Sequence, residues 1–150
     1  MNAKKTPLRV INEMKIRLPS LSVNESVARV TVAAFCAQIN PAATELADIK
    51  CAVSEAVTNC IVHAYRDTVG DIYINVRLHE GGLVRIEIKD RGCGIEDIEQ
   101  ARQPLYTTDA AGERSGMGFT VMESFCDKVR VTSHRGKGTS VLLYKKLSYK

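Results

Sequence analysis

The sequence predicts an α+β domain, a two-layer sandwich in which a mixed, mostly antiparallel sheet carries helices on one face. Two observations predict it. Strand-like alternation of apolar and polar residues recurs in five short stretches, and glycine turns join two pairs of them into hairpins. The two long helical patterns stand together in a block instead of alternating one for one with strands, which is the order of a layered α+β fold.

In chain order, Asn12 to Leu18 alternates Met14, Ile16 and Leu18 with Glu13, Lys15 and Arg17, a half-buried strand stopped at Pro19. Ser22 or Asn24 is expected to cap a helix that runs to about Ile39 and ends at Asn40-Pro41. Its apolar surface is broad, taking in Val27, Val30, Val32, Ala34, Phe35 and Ile39. On its polar side Glu25 and Arg29 form an i,i+4 pair, either a surface ion pair contributing about 0.3 to 0.5 kcal/mol or a contact for a partner.

Thr44 opens a second helix that reaches about Tyr65. Leu46, Ile49, Val53, Ala56, Val57, Cys60 and Ala64 make its core stripe. Asp48, Ala52, Glu55, Asn59 and His63 fall on another face, where Glu55 and Asn59, one turn apart, point the same way. After a polar turn to Gly70, Ile72, Ile74, Val76 and Leu78 alternate with Tyr73, Asn75, Arg77 and His79. A Gly81-Gly82 turn then leads to a strand whose inward positions are Val84, Ile86, Ile88 and, by the same period of two, Asp90. An ionised carboxylate on the buried side of a sheet is costly unless a donor meets it. That donor comes either from the protein, such as a lysine or a helix N-terminus, or from a ligand. The Arg91-Gly92-Cys93-Gly94 turn that follows lets another group approach the backbone.

From Ile95 to Ser115 the chain is polar and irregular, with a short acidic helix expected at Glu96 to Arg102. A connection of that length is expected to be a lid or disordered. Gly116-Met117-Gly118 then leads into a short apolar helix with Phe119, Val121, Met122 and Phe125, and glycines at a helix start leave N–H groups open to an anion. Two further strands, Val129 to Val131 and Thr139 to Leu143, flank the turn Gly136-Lys137-Gly138. Thr139 shares the inward side with the core, as a polar stand-in for valine or as a contact.

The chain has 150 residues, enough for one domain with a real core. Its net charge of +4, with scattered Lys and Arg, is too mild to argue for nucleic acid, and no apolar run is long enough for a membrane helix. Met1 to Ile11 lacks a signal peptide's apolar run, so the expected location is the cytoplasm. Five cysteines, an odd number without C-x-x-C spacing, read as reduced thiols that mostly pack helices; Cys93, between glycines, is the exception. Gly136-Lys137-Gly138-Thr139 is not a Walker A loop, and Gly116-x-Gly118 lacks the third glycine and the strand of a Rossmann fingerprint.

Glu55 and Asn59 on a helix, then Asp90-x-Gly92-x-Gly94, Gly116-x-Gly118 and Gly138-Thr139, in this order, resemble the N, G1, G2 and G3 boxes of the GHKL (Bergerat-type) ATPases. Ser54 to Asn59 with His63-Ala64-Tyr65, Ala101 to Leu105, and Glu113 to Phe119 sharpen the likeness to anti-sigma factors with serine kinase activity, resembling the anti-sigma F factors of endospore formers. The likeness spans residues 12–147, leaving residues 1–11 and 148–150 as tails. It implies ATP or ADP with Mg²⁺ as cofactors, a sigma factor of the sigma-F type as inhibited partner, an anti-anti-sigma protein as serine substrate, and a homodimer.

It also implies residue roles. Asp90 would accept a hydrogen bond from the adenine amino group and Thr139 would hold the same base edge. Gly92 and Gly94 would give the base access to the backbone, and Gly116 and Gly118 would present N–H groups to the phosphates. Asn59 would offer Mg²⁺ an oxygen, Arg114 would neutralise the transferred phosphoryl group, Glu55 would be the general base, and Arg29 would face a partner. The alternatives are a nucleotide-gated anti-sigma binding module without turnover, and the detached ATPase domain of a histidine kinase, for which 150 residues leave no room for a phosphoacceptor domain.

Overall fold

A computed structural model of the chain describes residues 8–65, 68–94 and 118–148. The strand β1 (Val10–Pro19) is followed by the helices α1 (Asn24–Cys36) and α2 (Ala43–Asn59). Then come β2 (Asp71–His79), β3 (Leu83–Asp90), α3 (Gly118–Phe125), β4 (Lys128–His134) and β5 (Gly138–Lys146). The strands lie in the order β1-β2-β3-β5-β4.

Every neighbouring pair in this sheet is antiparallel, which corrects the expected mixed sheet. The reason lies in the helical block. Two helices between β1 and β2 return the chain to the end of the sheet it left, so Pro19 pairs with Asp71, and a parallel neighbour would need a one-way crossover. Ser20 closes that corner: its N–H donates to the Gly70 carbonyl (2.8 Å), and its hydroxyl accepts the Gly70 N–H (3.0 Å).

The inward residues of β2 and β3 are buried as their alternation requires, from Ile72 to Leu78 and from Val84 to Asp90. They meet Ile49, Ala52, Val53, Ala56 and Val57 of α2 in one core, which Phe119 and Met122 of α3 complete. Ala52, read on the polar face of α2, is fully buried. α2 packs against α1 and α3 as well as the sheet, so it buries a wider arc than one stripe.

α1 does the opposite. It buries Ala28, Val32, Ala33 and Cys36 and packs Phe35 against the core, while Val27, Val30 and Ala34, read as part of its broad apolar surface, are exposed. A helix covered on one side only cannot bury so broad an apolar surface.

The expected Ser22 or Asn24 cap is absent. Val23 occupies the N-cap position without a side-chain bond, and the Asn24 amide donates instead to the Pro19 carbonyl. α2 starts at Ala43, where the Glu45 carboxylate reaches back to the Ala42 N–H (2.9 Å). The same carboxylate accepts the N–H and hydroxyl of Ser148, drawing that end of the chain onto the helix. Glu45 is held below the usual carboxylate range by these bonds, the Ser148 N–H foremost. Among the described residues no helix is long and apolar enough to cross a membrane.

Candidate functional site

Asp90, the last residue of β3, is 5% exposed on the helix-covered side of the sheet. Among the described residues neither a lysine nor a helix N-terminus meets it. Its Oδ1 accepts two backbone N–H groups, from Gly92 at 2.9 Å and from Thr139 at 3.2 Å, and its Oδ2 accepts the Cys60 thiol at 3.6 Å. Burial raises the Asp90 pKa, and these donors pull against that rise. The carboxylate is thus desolvated and hydrogen-bonded, yet paired with no cation among the described residues.

The ground around it is built from backbone in close contact. α2 does not end as an α-helix: Cys60–Ala64 forms a π-turn in which the Tyr65 N–H reaches the Cys60 carbonyl at 3.2 Å. The Ala64 carbonyl is left to accept the Cys93 N–H at 3.1 Å. A Cβ at Gly92 would lie 2.3 Å from that same carbonyl oxygen, so only glycine fits between the turn and the end of β3. Gly138 has φ +115° and lies against β3, where a Cβ would meet the Asp90 carbonyl oxygen at 2.2 Å. Its neighbour Thr139 is buried, with its hydroxyl 2.8 Å from that of Ser133 on β4. Tyr65 links the two sides, donating to the Asp71 carbonyl (2.8 Å) and accepting the Arg91 N–H (2.6 Å).

On α2, Glu55 and Asn59 are half-buried. Glu55 lines a shallow groove of about 360 Å³ with Arg29, Lys50, Cys51, Ser54 and Val121. Arg29 donates through Nε to Glu25 Oε1 at 3.1 Å, and the Ser54 hydroxyl donates to the same oxygen. The Glu25–Arg29 pair expected on α1 is therefore present and also tied to α2.

Residues 18–145 match the histidine kinase-like ATPase domain family. The chain is 57% identical over 135 residues to an anti-sigma F factor of Geobacillus sp. (strain WCH70), covering 89% of this chain and 92% of that relative. It is 51% identical over 138 residues to the anti-sigma F factor of Priestia megaterium, covering 91% and 94%. The chain belongs to the anti-sigma F factor family. Among solved structures, the RsbU and RsbW domains of Rv1364c from Mycobacterium tuberculosis superpose with a TM-score of 0.68 at 24% identity, over 93% of this chain and 33% of that one, a likeness of fold. The domain of this anti-sigma F family member is accordingly a nucleotide-binding ATPase domain.

Within this family member the structure gathers Asp90, Gly92 and Thr139 at one point, with Gly94 close by, where a Cβ would lie 2.3 Å from the His134 carbonyl. Gly94 has φ +78°, so both its conformation and its packing require glycine. Gly118 opens α3, as expected for the glycine before the apolar helix. Arg114, Gly116 and the lid read at residues 95–115 lie outside the described residues, as do Met1 to Pro7.

Cysteines divide differently from the sequence reading. Cys36 and Cys60 are buried and Cys126 half-buried, whereas Cys51 on α2 is exposed like Cys93. Reading the sequence misses one participant, Cys60, which it assigns only to the core stripe; Gly138 is read in the turn and in the Gly138-Thr139 box, without its contact with β3. No signal marks Cys60, because its contact with Asp90 spans 30 residues. Among the described residues no cluster of His, Cys, Asp or Glu could hold a metal ion by itself.

Proposed function

We propose that this chain is an anti-sigma factor and an ATP-dependent protein serine kinase, which sequesters a sigma factor of the sigma-F type and phosphorylates the anti-anti-sigma protein that opposes it. The observation that carries the reading is the buried Asp90 carboxylate, which meets backbone N–H groups and a thiol but no cation among the described residues. Such a group costs stability unless it is used, and a purine's exocyclic amino group is a fitting neutral donor for it.

Around that anchor each residue has a role its chemistry permits. Thr139 holds the same base edge, and Gly92 and Gly94 keep the backbone close enough to line the base. Gly116 and Gly118, before and at the start of α3, offer N–H groups to the phosphates. Asn59 contributes one oxygen toward Mg²⁺. That sparse donor set suits a hard cation that takes its remaining ligands from phosphate and water, and the ion, when bound, draws charge from the phosphates. Arg114 offsets charge on the transferred phosphoryl group, and Glu55 takes the proton from the incoming serine hydroxyl. Arg29, held by Glu25 at the rim of the groove that Glu55 lines, faces the protein partner, and the working unit is a homodimer.

The test is transfer of label from γ-labelled ATP to the purified antagonist. Wild type should label it on serine, and Glu55→Gln should bind ATP normally while transferring about 10²- to 10⁴-fold more slowly. An unlabelled antagonist would leave a nucleotide-gated binding module, and full transfer by Glu55→Gln would remove Glu55 from the base role.

A further inference from the structure

We infer that Cys60 is a positioning residue for base recognition, its thiol fixing the one oxygen of Asp90 that is left to accept from adenine. The inference rests on the reading of Asp90 as the adenine acceptor. A carboxylate oxygen has two lone-pair directions, and those of Oδ1 are both engaged by backbone N–H groups, from Gly92 and Thr139. Among the described residues Oδ2 receives only the Cys60 S–H, at a distance suited to the larger sulfur atom, so the second direction of Oδ2 is the acceptor left for a ligand.

Without the thiol, nothing among the described residues holds Oδ2, and the carboxylate plane is held through one oxygen only. The thiol is placed by local structure, since Cys60 is the first residue of the π-turn and is 4% exposed. Burial first, and then the facing Asp90, push its pKa well above the ordinary thiol range. It therefore stays protonated and remains a donor. A valine or alanine would fill the same apolar surroundings without offering one.

The experiment compares ADP with purine riboside 5′-diphosphate, which lacks the 6-amino group, by calorimetry on the full chain. Wild type should prefer ADP. Cys60→Ala should lose about three- to tenfold in ADP affinity, the worth of one modest hydrogen bond, with the deaminated analogue bound as before. Cys60→Ser keeps a donor and should keep the preference. Equal losses of both ligands in Cys60→Ala, or a serine variant that fails to hold the preference, overturn the positioning role, since simple packing damage does not distinguish the two nucleotides. A wild type that binds both alike overturns the adenine reading of Asp90 itself, and this inference with it.

Discussion

Replacing Gly138 by alanine should damage both stability and nucleotide binding, by amounts that two other glycines allow to be separated. Gly136 and Gly81 have φ +77° and +79° with nothing within 4 Å of an added Cβ. Alanine at either pays only for the left-handed backbone, about 1 to 2 kcal/mol. Gly138 has φ +115°, outside that basin, and its Cβ would lie 2.2 Å from the Asp90 carbonyl oxygen and 2.7 Å from the Arg91 Cα. Both neighbours are backbone and cannot swing aside as a flexible side chain does. Strain of about 1 to 3 kcal/mol is therefore joined by an overpacking cost of about 1 to 3 kcal/mol.

Relief of that clash would move β5 away from the end of β3, lengthening the Thr139 N–H bond to Asp90 Oδ1 from its 3.2 Å. Urea unfolding should place Gly138→Ala about 1 to 4 kcal/mol below Gly136→Ala, the difference between the two estimates. ADP affinity should fall in the first variant and hold in the second. Equal stabilities, or an unchanged affinity in Gly138→Ala, would refute the claim that contact between these two backbones builds the base pocket.

Two further outcomes follow from ionisation and burial. Because burial raises the folded pKa of Asp90, the native chain holds the extra proton between the unfolded carboxyl's value and the raised one, and stability falls as pH climbs through that window. Asp90→Asn should thus melt at or above the wild-type temperature near neutrality, lose that advantage in acid, and no longer discriminate ADP; a variant that binds ADP undiminished contradicts the acceptor role. Among the thiols, burial pushes Cys36 up to about 12 and Cys126 up to about 11, while Cys51 and Cys93 are exposed. A maleimide should label Cys51 and Cys93 in the native protein and the other three only on unfolding, and early labelling of Cys36, read by mass spectrometry, counts against this packing.

The strands were legible because a sheet with one buried face leaves a period of two in the chain, and the inward position of Asp90 followed from parity alone. Its hydrogen-bond donors leave no mark in the residue pattern, although the family likeness sets Thr139 at the same base edge. Cys60 and Thr139 lie 30 and 49 residues away, and their meeting depends on the β3–β5 register and on the π-turn, which leave no local pattern. The same limit explains α1. Its hydropathy marks a broad apolar surface, and only the packing of neighbours decides that Ala28 and Val32 are covered while Val30 stays 53% exposed. Antiparallel pairing throughout was hidden for a related reason, since the chain's return to the end it left is set by how two helices pack and not by their composition.

The arrangement also says which substitutions should separate binding from chemistry. Glu55 and Cys60 stand five residues apart on one continuous helical path, about 7.5 Å along the axis. That spacing is set by backbone hydrogen bonds within α2 and its π-turn, and α2 itself is packed on three sides. The base pocket we propose is held differently, through contacts of Gly92 with Ala64, Gly94 with His134 and Gly138 with Asp90, each between segments distant in sequence. Altering those contacts shifts the loops relative to α2 and leaves the helical spacing as it was. Glycine substitutions at the pocket should therefore act on nucleotide affinity, while changes at Glu55 should act on the transfer step with affinity retained, because the two sites share a helix but not the contacts that hold them.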